Sequence, residues 1–316
     1  VPSIDLPLAE LERYAPEPAI PPDFDQYWAE VASELETVAP AIQRRPAPEP
    51  LRGFVAEELR FRGLGGLELA GWSLRPAGEG PFPGVAVFHG YGGRGARPLE
   101  LLAYAASGLA AVSLDCRGQG GDSPGDGPPS GHVAGWLTQG LLSPARYYYR
   151  AVYADALRTL AVLAELPGVD PTRLATTGAS QGGGLALAVA ALSGRVRACF
   201  AEIPFLCDIR RGVEIAPRPP YSEIAAFLRQ HPDRATEAFA TLAYIDGLAL
   251  APRIHCPTVV TVGLLDDICP PSTAYGTFRR LAASDKELRV APWQGHEVTY
   301  DDQRARLAWL VSQLRP

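Results

Sequence analysis

Residues 176–184 read Thr-Thr-Gly-Ala-Ser-Gln-Gly-Gly-Gly, which places Ser180 at the centre of a G-x-S-x-G pattern. A short apolar stretch, Arg173 to Thr176, precedes it, and Leu185 to Leu192 follows as an Ala- and Leu-rich helix. At so sharp a strand-to-helix turn the serine needs small neighbours, and its hydroxyl then projects above the sheet as an exposed nucleophile. The glycines also allow the helix to approach the sheet closely. A glycine-rich helix start that merely packs tightly would give the same local pattern, so partners elsewhere must decide. A phosphate loop fits less well, because no lysine follows the glycines.

A serine hydroxyl is almost un-ionised at neutral pH and needs a base. The chain has 5 histidines. His89 ends an apolar run, His132 lies in a Gly/Pro-rich loop, His231 and His255 fall in or beside an irregular stretch, and His296 sits in Trp293-Gln294-Gly295-His296-Glu297. In α/β-hydrolases the triad runs Ser, acid, His along the chain, with the histidine in the loop before the final helix. His296 is the residue so placed. The acid should follow the intervening strand, buried enough to hold the imidazole tautomer. Gly263-Leu264-Leu265-Asp266-Asp267 offers two candidates there, with Asp246 a distant third. The tetrahedral intermediate also needs backbone donors. One is the N–H of Gln181, after the nucleophile; the other comes from His89-Gly90-Tyr91-Gly92-Gly93, through Tyr91 or Gly92.

The elements that must hold these groups are readable in outline. Asp23 or Asp25 starts a helix through Glu36, with Phe24, Tyr27, Trp28 and Val31 on one face. Phe54 to Leu74 alternates in polarity around Gly63, Gly65 and Gly66, as an antiparallel strand pair does. From Pro83 onward the strands become apolar on both faces: Gly84–His89, Leu109–Asp115, the stretch before Ser180, Val196–Ile203, Thr258–Gly263 and Leu288–Ala291. Helical stretches alternate with them: Leu101–Ser107, Tyr147–Glu165, Ser272–Ala282 and Gln303–Leu314. Such alternation predicts a mostly parallel central sheet with helices on both faces, and the turn at Ser180 makes it an α/β-hydrolase fold. Residues 1–50 form an N-terminal extension. Residues 204–255, with helical pieces near Ile224–Arg229 and Ala235–Tyr244, read as an insertion before the acid-bearing strand, a lid or an oligomer contact. A single domain over 1–316 is the expected organisation.

Composition narrows the partners. The chain of 316 residues has 47% hydrophobic and 20% charged residues, ordinary values for a globular core. A net charge of −6 leaves no basic footprint for nucleic acid. No apolar run approaches the ~18 residues that span a membrane. Val1-Pro2-Ser3-Ile4-Asp5-Leu6 lacks the basic start and apolar core of a signal peptide. The cysteines, Cys116, Cys199, Cys207, Cys256 and Cys269, form no C-x-x-C pair and read as buried thiols in a reducing compartment. Lys286 is the only lysine and methionine is absent, biases with no evident functional meaning.

In combination these residues resemble the acetyl xylan esterase / cephalosporin-C deacetylase family of carbohydrate esterases (family seven). The resemblance covers nearly the whole chain. It rests on Arg117-Gly118-Gln119, Gly178-Ala179-Ser180-Gln181-Gly182-Gly183-Gly184 and His296-Glu297, with further similar stretches at His89-Gly90-Tyr91, Tyr147 to Tyr153, Pro204-Phe205-Leu206-Cys207 and Gly263-Leu264-Leu265-Asp266. It implies Ser180 as nucleophile, His296 as base and Asp266, rather than Asp267, as acid. It implies oxyanion donors at the Tyr91 and Gln181 amides, and a bracing role for Arg117, Gln119 and Glu297. It further implies acetyl esters of sugars as substrates, no metal or other cofactor, an intracellular location, and a ring-like hexamer built partly through residues 204–255. Two departures concern substrate preference: Gly92 replaces a residue more often polar, and Ala96 to Leu102 lacks the aromatics that many relatives place near the acyl pocket. A peptidase of the prolyl-oligopeptidase kind usually carries an extra domain, for which the chain has no room. A catalytically dead binding protein of this fold typically lacks a triad residue, and this chain retains all three candidates.

Overall fold

Among the described residues nine strands carry the architecture: β1 Gln43–Pro46, β2 Phe54–Arg62, β3 Glu68–Pro76, β4 Phe82–Phe88, β5 Ala110–Leu114, β6 Val169–Ala179, β7 Val196–Glu202, β8 Thr258–Gly263 and β9 Lys286–Ala291. They form one sheet in the order β1-β2-β3-β5-β4-β6-β7-β8-β9. The first three run as an antiparallel meander that joins β5 through β3, and the strands from β5 to β9 pair in parallel. The computed structural model describes residues 4–125 and 135–315, so His132 lies outside the described residues.

Two apolar clusters cover the two faces of the sheet, as the period of 2 along each strand requires. Val85, Ala111, Ala175, Ala198 and Val259 face a layer that includes Leu101, Tyr104, Leu310 and Leu314. Their neighbours Ala86, Val112, Cys199 and Val260 face the opposite layer, with Val152, Leu160, Leu163 and Leu185. This mixed sheet between helical layers is an α/β-hydrolase fold. The helix Gln181–Ser193 is buried from Gln181 to Ala190. A helix that is apolar all round belongs inside, and this one packs on the sheet beside the long helix Tyr148–Glu165, which also reaches the sheet.

Several boundaries depart from the sequence reading. The strand before Ser180 starts at Val169 rather than Arg173; its first four residues, Val169-Asp170-Pro171-Thr172, are half-buried or exposed and include a single aliphatic side chain, so they form no apolar run. β1 has the sequence Gln-Arg-Arg-Pro with every residue exposed, so it pairs through its backbone and a surface Arg44–Glu57 ion pair and has no apolar face to mark it. Residues between β7 and β8 hold four α-helices rather than two helical pieces, at Ile209–Ile215, Tyr221–Gln230, Ala235–Leu242 and Gly247–Leu250. Neither Asp23 nor Asp25 caps the helix Phe24–Glu36 through its side chain. Asp23 accepts the Tyr244 hydroxyl and Asp25 pairs with Arg253, so both tie this helix to residues 204–255.

Candidate active site

The sharp turn at Ser180 is enforced by backbone crowding. A Cβ on Gly178 would meet the Phe88 carbonyl oxygen at 2.5 Å, and one on Gly182 would meet the same atom at 2.1 Å. Both flanking positions of the pattern are therefore closed to any side chain. Ser180 itself adopts φ 57° and ψ −120°, left-handed backbone that only a surrounding framework sustains in a residue with a Cβ. That framework is visible: the Ser180 N–H donates to the Glu202 carbonyl at 3.0 Å, and the Ser180 carbonyl accepts from Phe205 at 2.9 Å. Strands on both sides of the turn thus fix the serine.

The parallel strands end on the same side of the sheet, and their loops bring the candidate residues together. His296, from the loop after β9, lies with Nε2 2.9 Å from Ser180 Oγ. Its Nδ1 is 2.8 Å from Asp266 Oδ2, from the loop after β8. Asp266 is only 1% exposed, and its other oxygen accepts the N–H groups of Ile268 and Cys269 at 2.9 and 2.8 Å. A serine hydroxyl bonded to an imidazole that a buried carboxylate orients is a constellation able to move a proton off the serine. Asp267 turns outward to Arg218, 3.1 Å away at the surface. Asp246 is far from this chain in role: it caps Gly247–Leu250 by accepting from Leu248, also accepts from Ile209, and burial raises its pKa to about 7.

The other described histidines do other work. His89 accepts the Cys116 N–H at Nε2 and places Nδ1 2.7 Å from the Gly90 carbonyl, bracing the turn that leads to Tyr91. Burial lowers its pKa, which keeps it neutral. His231 is exposed and packs against Phe227, and His255 is exposed. All 5 cysteines are free thiols, and burial pushes the pKa of each upward, so none is poised as a thiolate. Among the described residues no group of three or more His, Cys, Asp or Glu is placed to hold a metal ion.

Two backbone amides near the serine, that of Gln181 next in the chain and that of Tyr91, which shares a cavity with it, lack acceptors among the described residues. Gln181 opens its helix, so its N–H has no intrahelical partner. The Tyr91 N–H donates to no acceptor among the described residues. A side-chain network holds the two arms in register. Gln119 Oε1 accepts from the Gly92 N–H at 2.9 Å and from Gln181 Nε2 at 3.1 Å, while Gln119 Nε2 donates to Gln181 Oε1 at 2.9 Å. The Tyr149 hydroxyl donates to the same Gln181 oxygen at 2.8 Å. Arg117 sits deeper: its guanidinium grips Asp155 at 2.6 and 2.9 Å and donates to the Leu64 carbonyl at 2.9 Å. Its carbonyl accepts the Tyr148 hydroxyl at 2.6 Å.

Asp155 is fully buried, so Asp155→Ala would strand a buried guanidinium. The expected cost is about 3–5 kcal/mol of folding stability. A urea titration followed by fluorescence should show the midpoint fall accordingly; an unchanged midpoint would mean that the ion pair contributes nothing net.

The serine opens onto a cavity of about 390 Å³ lined by Gly90, Tyr91, Ile203, Pro219, Pro220, Ile268 and Val298 among others. That volume suits a small ester. None of residues 96–102 lines it, so the aromatic-poor stretch noted in the sequence does not shape the cavity. Glu297, expected to support the site from behind it, is exposed on the cavity wall and makes no hydrogen bond or ion pair among the described residues. Ile203, Pro219, Pro220, Ile268 and Val298 carried no motif and were missed as cavity walls. A wall requires only shape, and shape leaves no spacing to read.

The fold and this constellation define an α/β-hydrolase. The sequence profile of the acetyl xylan esterase (AXE1) family matches residues 1–314. A solved acetyl xylan esterase from Paenibacillus sp. R4 superposes with a TM-score of 0.92 at 36% identity, covering 97% of this chain and 99% of that one. Acetyl xylan esterase 1 from Thermoanaerobacterium sp. does so with a TM-score of 0.92 at 32% identity, covering 98% of this chain and 100% of that one. An acetyl esterase of Xylanibacter ruminicola is 27% identical over 307 residues, 93% of this chain and 68% of its own length. The chain belongs to the acetyl xylan esterase family and is an acetyl ester hydrolase, one of the carboxylic ester hydrolases. Among the described residues no helix is long and apolar enough to cross a membrane.

Proposed function

We propose that the enzyme removes acetyl groups from sugars such as acetylated xylo-oligosaccharides by a serine mechanism, with the acetyl ester of cephalosporin C as a further substrate. The observation that carries this reading is the continuous hydrogen-bonded chain from Ser180 Oγ through His296 to Asp266 at the floor of a small cavity. Ser180 attacks the ester carbonyl while His296 Nε2 takes the hydroxyl proton, and Asp266 stabilises the imidazolium. The carbonyl oxygen gains negative charge and is met by the Tyr91 and Gln181 N–H groups. His296 then returns its proton to the leaving sugar oxygen, which departs as an alcohol. A water, deprotonated by the same histidine, cleaves the acetyl-enzyme to acetate. Arg117 and Gln119 serve as framework beneath this site.

The family resemblance supports the remaining parts of the reading: a single domain whose residues 204–255 act as a subunit contact or lid, in a cytoplasmic homohexamer. Substrate class is tested by acetate release from acetylated xylo-oligosaccharides, alongside p-nitrophenyl acetate, butyrate and octanoate and a peptide anilide. Turnover should fall steeply with acyl length, and the anilide should be inert. Cleavage of the anilide at a rate comparable to acetate release would favour a peptidase.

A further inference from the structure

Tyr91 is held at both ends. Its backbone end lines the cavity with Ser180 and carries an N–H with no acceptor among the described residues, beside Gly92, which Gln119 fixes. Its phenol end reaches away from the site, where the hydroxyl donates to Glu223 Oε2 at 2.8 Å and accepts from the Leu137 N–H at 3.1 Å. Between the two ends, the ring packs edge-on against Trp136 and Phe205, at 5.1 and 6.1 Å between centroids. Such a ring has little freedom, so whatever holds the hydroxyl also sets where the main chain sits.

Glu223 comes from the first turn of Tyr221–Gln230, within residues 204–255. It is half-buried and forms no ion pair among the described residues; a phenol and a backbone N–H are what face its charge. Burial accordingly pushes its carboxyl pKa upward. A helix residue placed for solubility alone would turn to water, since an inward carboxylate without a cation is costly. The same short stretch reaches the site twice more. Pro219 and Pro220 line the cavity, and Arg218 pairs with Asp267 beside the acid.

We propose that Glu223 is a positioning residue for the oxyanion loop, fixing the Tyr91 phenol and thereby the aim of the Tyr91 backbone N–H. Residues 204–255 then complete the catalytic apparatus rather than only covering it. The inference rests on the reading above in which that N–H stabilises the tetrahedral intermediate.

The test compares Glu223→Ala, Glu223→Gln, Tyr91→Phe and the double variant Tyr91→Phe/Glu223→Ala, with p-nitrophenyl acetate as substrate and methylboronic acid as a tetrahedral probe. Loss of a whole oxyanion donor costs about 10²–10³ in kcat, so a mis-aimed one should cost roughly tenfold with KM within about twofold. Boronate binding should weaken by a similar factor. Glu223→Gln retains an acceptor oxygen and should recover most of the rate. The double variant should be no slower than the slower single one, because both remove the same bond. Unchanged kcat in Tyr91→Phe and Glu223→Ala, a rise in KM alone, or multiplicative losses in the double variant would each overturn the proposal. If Glu223→Ala folds poorly, Tyr91→Phe and Glu223→Gln carry the test by themselves. Ser180→Ala, measured alongside, separates the two levels: its inactivity beside a fully active Glu223→Ala discards the positioning role alone, whereas an active Ser180→Ala removes the reading beneath it.

Discussion

Ser180→Ala should reduce acetyl-ester turnover by about 10⁴-fold or more while leaving the fold intact. The size of the effect follows from what the alanine leaves behind. His296, Asp266 and the two free amides would still bind and polarise an ester, but no atom would remain to take the acyl group. Water attacking from the same cavity recovers only the fraction of catalysis that belongs to binding and the oxyanion donors. Folding should be nearly unaffected. The serine hydroxyl has His296 as its hydrogen-bond partner, and the strained backbone at φ 57° is held by Glu202, Phe205 and the crowded glycines, none of which the substitution touches. The measurements are acetate release, labelling by a fluorophosphonate, and a thermal melt. A variant that folds normally, resists labelling and is inactive is the expected result. Turnover within tenfold of the parent enzyme would remove the serine mechanism.

The core of this arrangement was legible because it obeys period and spacing. Strands buried on both faces announce themselves as apolar runs, and β4, β5, β7 and β8 appeared close to their observed limits. Ser180 was marked by the glycines its turn requires, and their necessity is now visible in the distances to Phe88. His296 followed from its place in the chain. Asp266 did not: spacing left it level with Asp267, and the family resemblance separated them. What escaped reading is what depends on contacts distant in sequence. β1 pairs through an exposed polar segment, Glu223 is one acid among many on a helix, and the cavity walls come from five separate loops. The Gln119–Gln181 amide pair joins residues 62 positions apart. Each of these is decided by where the chain returns, and no local pattern encodes that return.

The rival carboxylates provide the second large effect. Asp266→Asn should lower kcat by about 10⁴-fold, and Asp267→Asn should change it by less than about twofold. In the parent chain Asp266 accepts twice on one oxygen, from Ile268 and Cys269, and faces His296 Nδ1 with the other. An asparagine keeps its carbonyl oxygen where the two backbone N–H groups demand an acceptor. Its NH₂ then points at Nδ1, which must accept rather than donate, so the proton moves to Nε2. That is the nitrogen that has to receive the Ser180 proton, and it is now occupied. Geometry survives and the tautomer is wrong. Asp267 lacks any such consequence, since it meets Arg218 at the surface, where ion pairs contribute about 0–1 kcal/mol. The pH profile adds an independent check. Hydroxide can stand in for the lost base, so Asp266→Asn should recover activity in strong alkali, and Asp267→Asn should trace the parent profile. If Asp267→Asn proves the crippling change, the acid belongs to the neighbouring residue and the loop after β8 must reorganise when substrate binds.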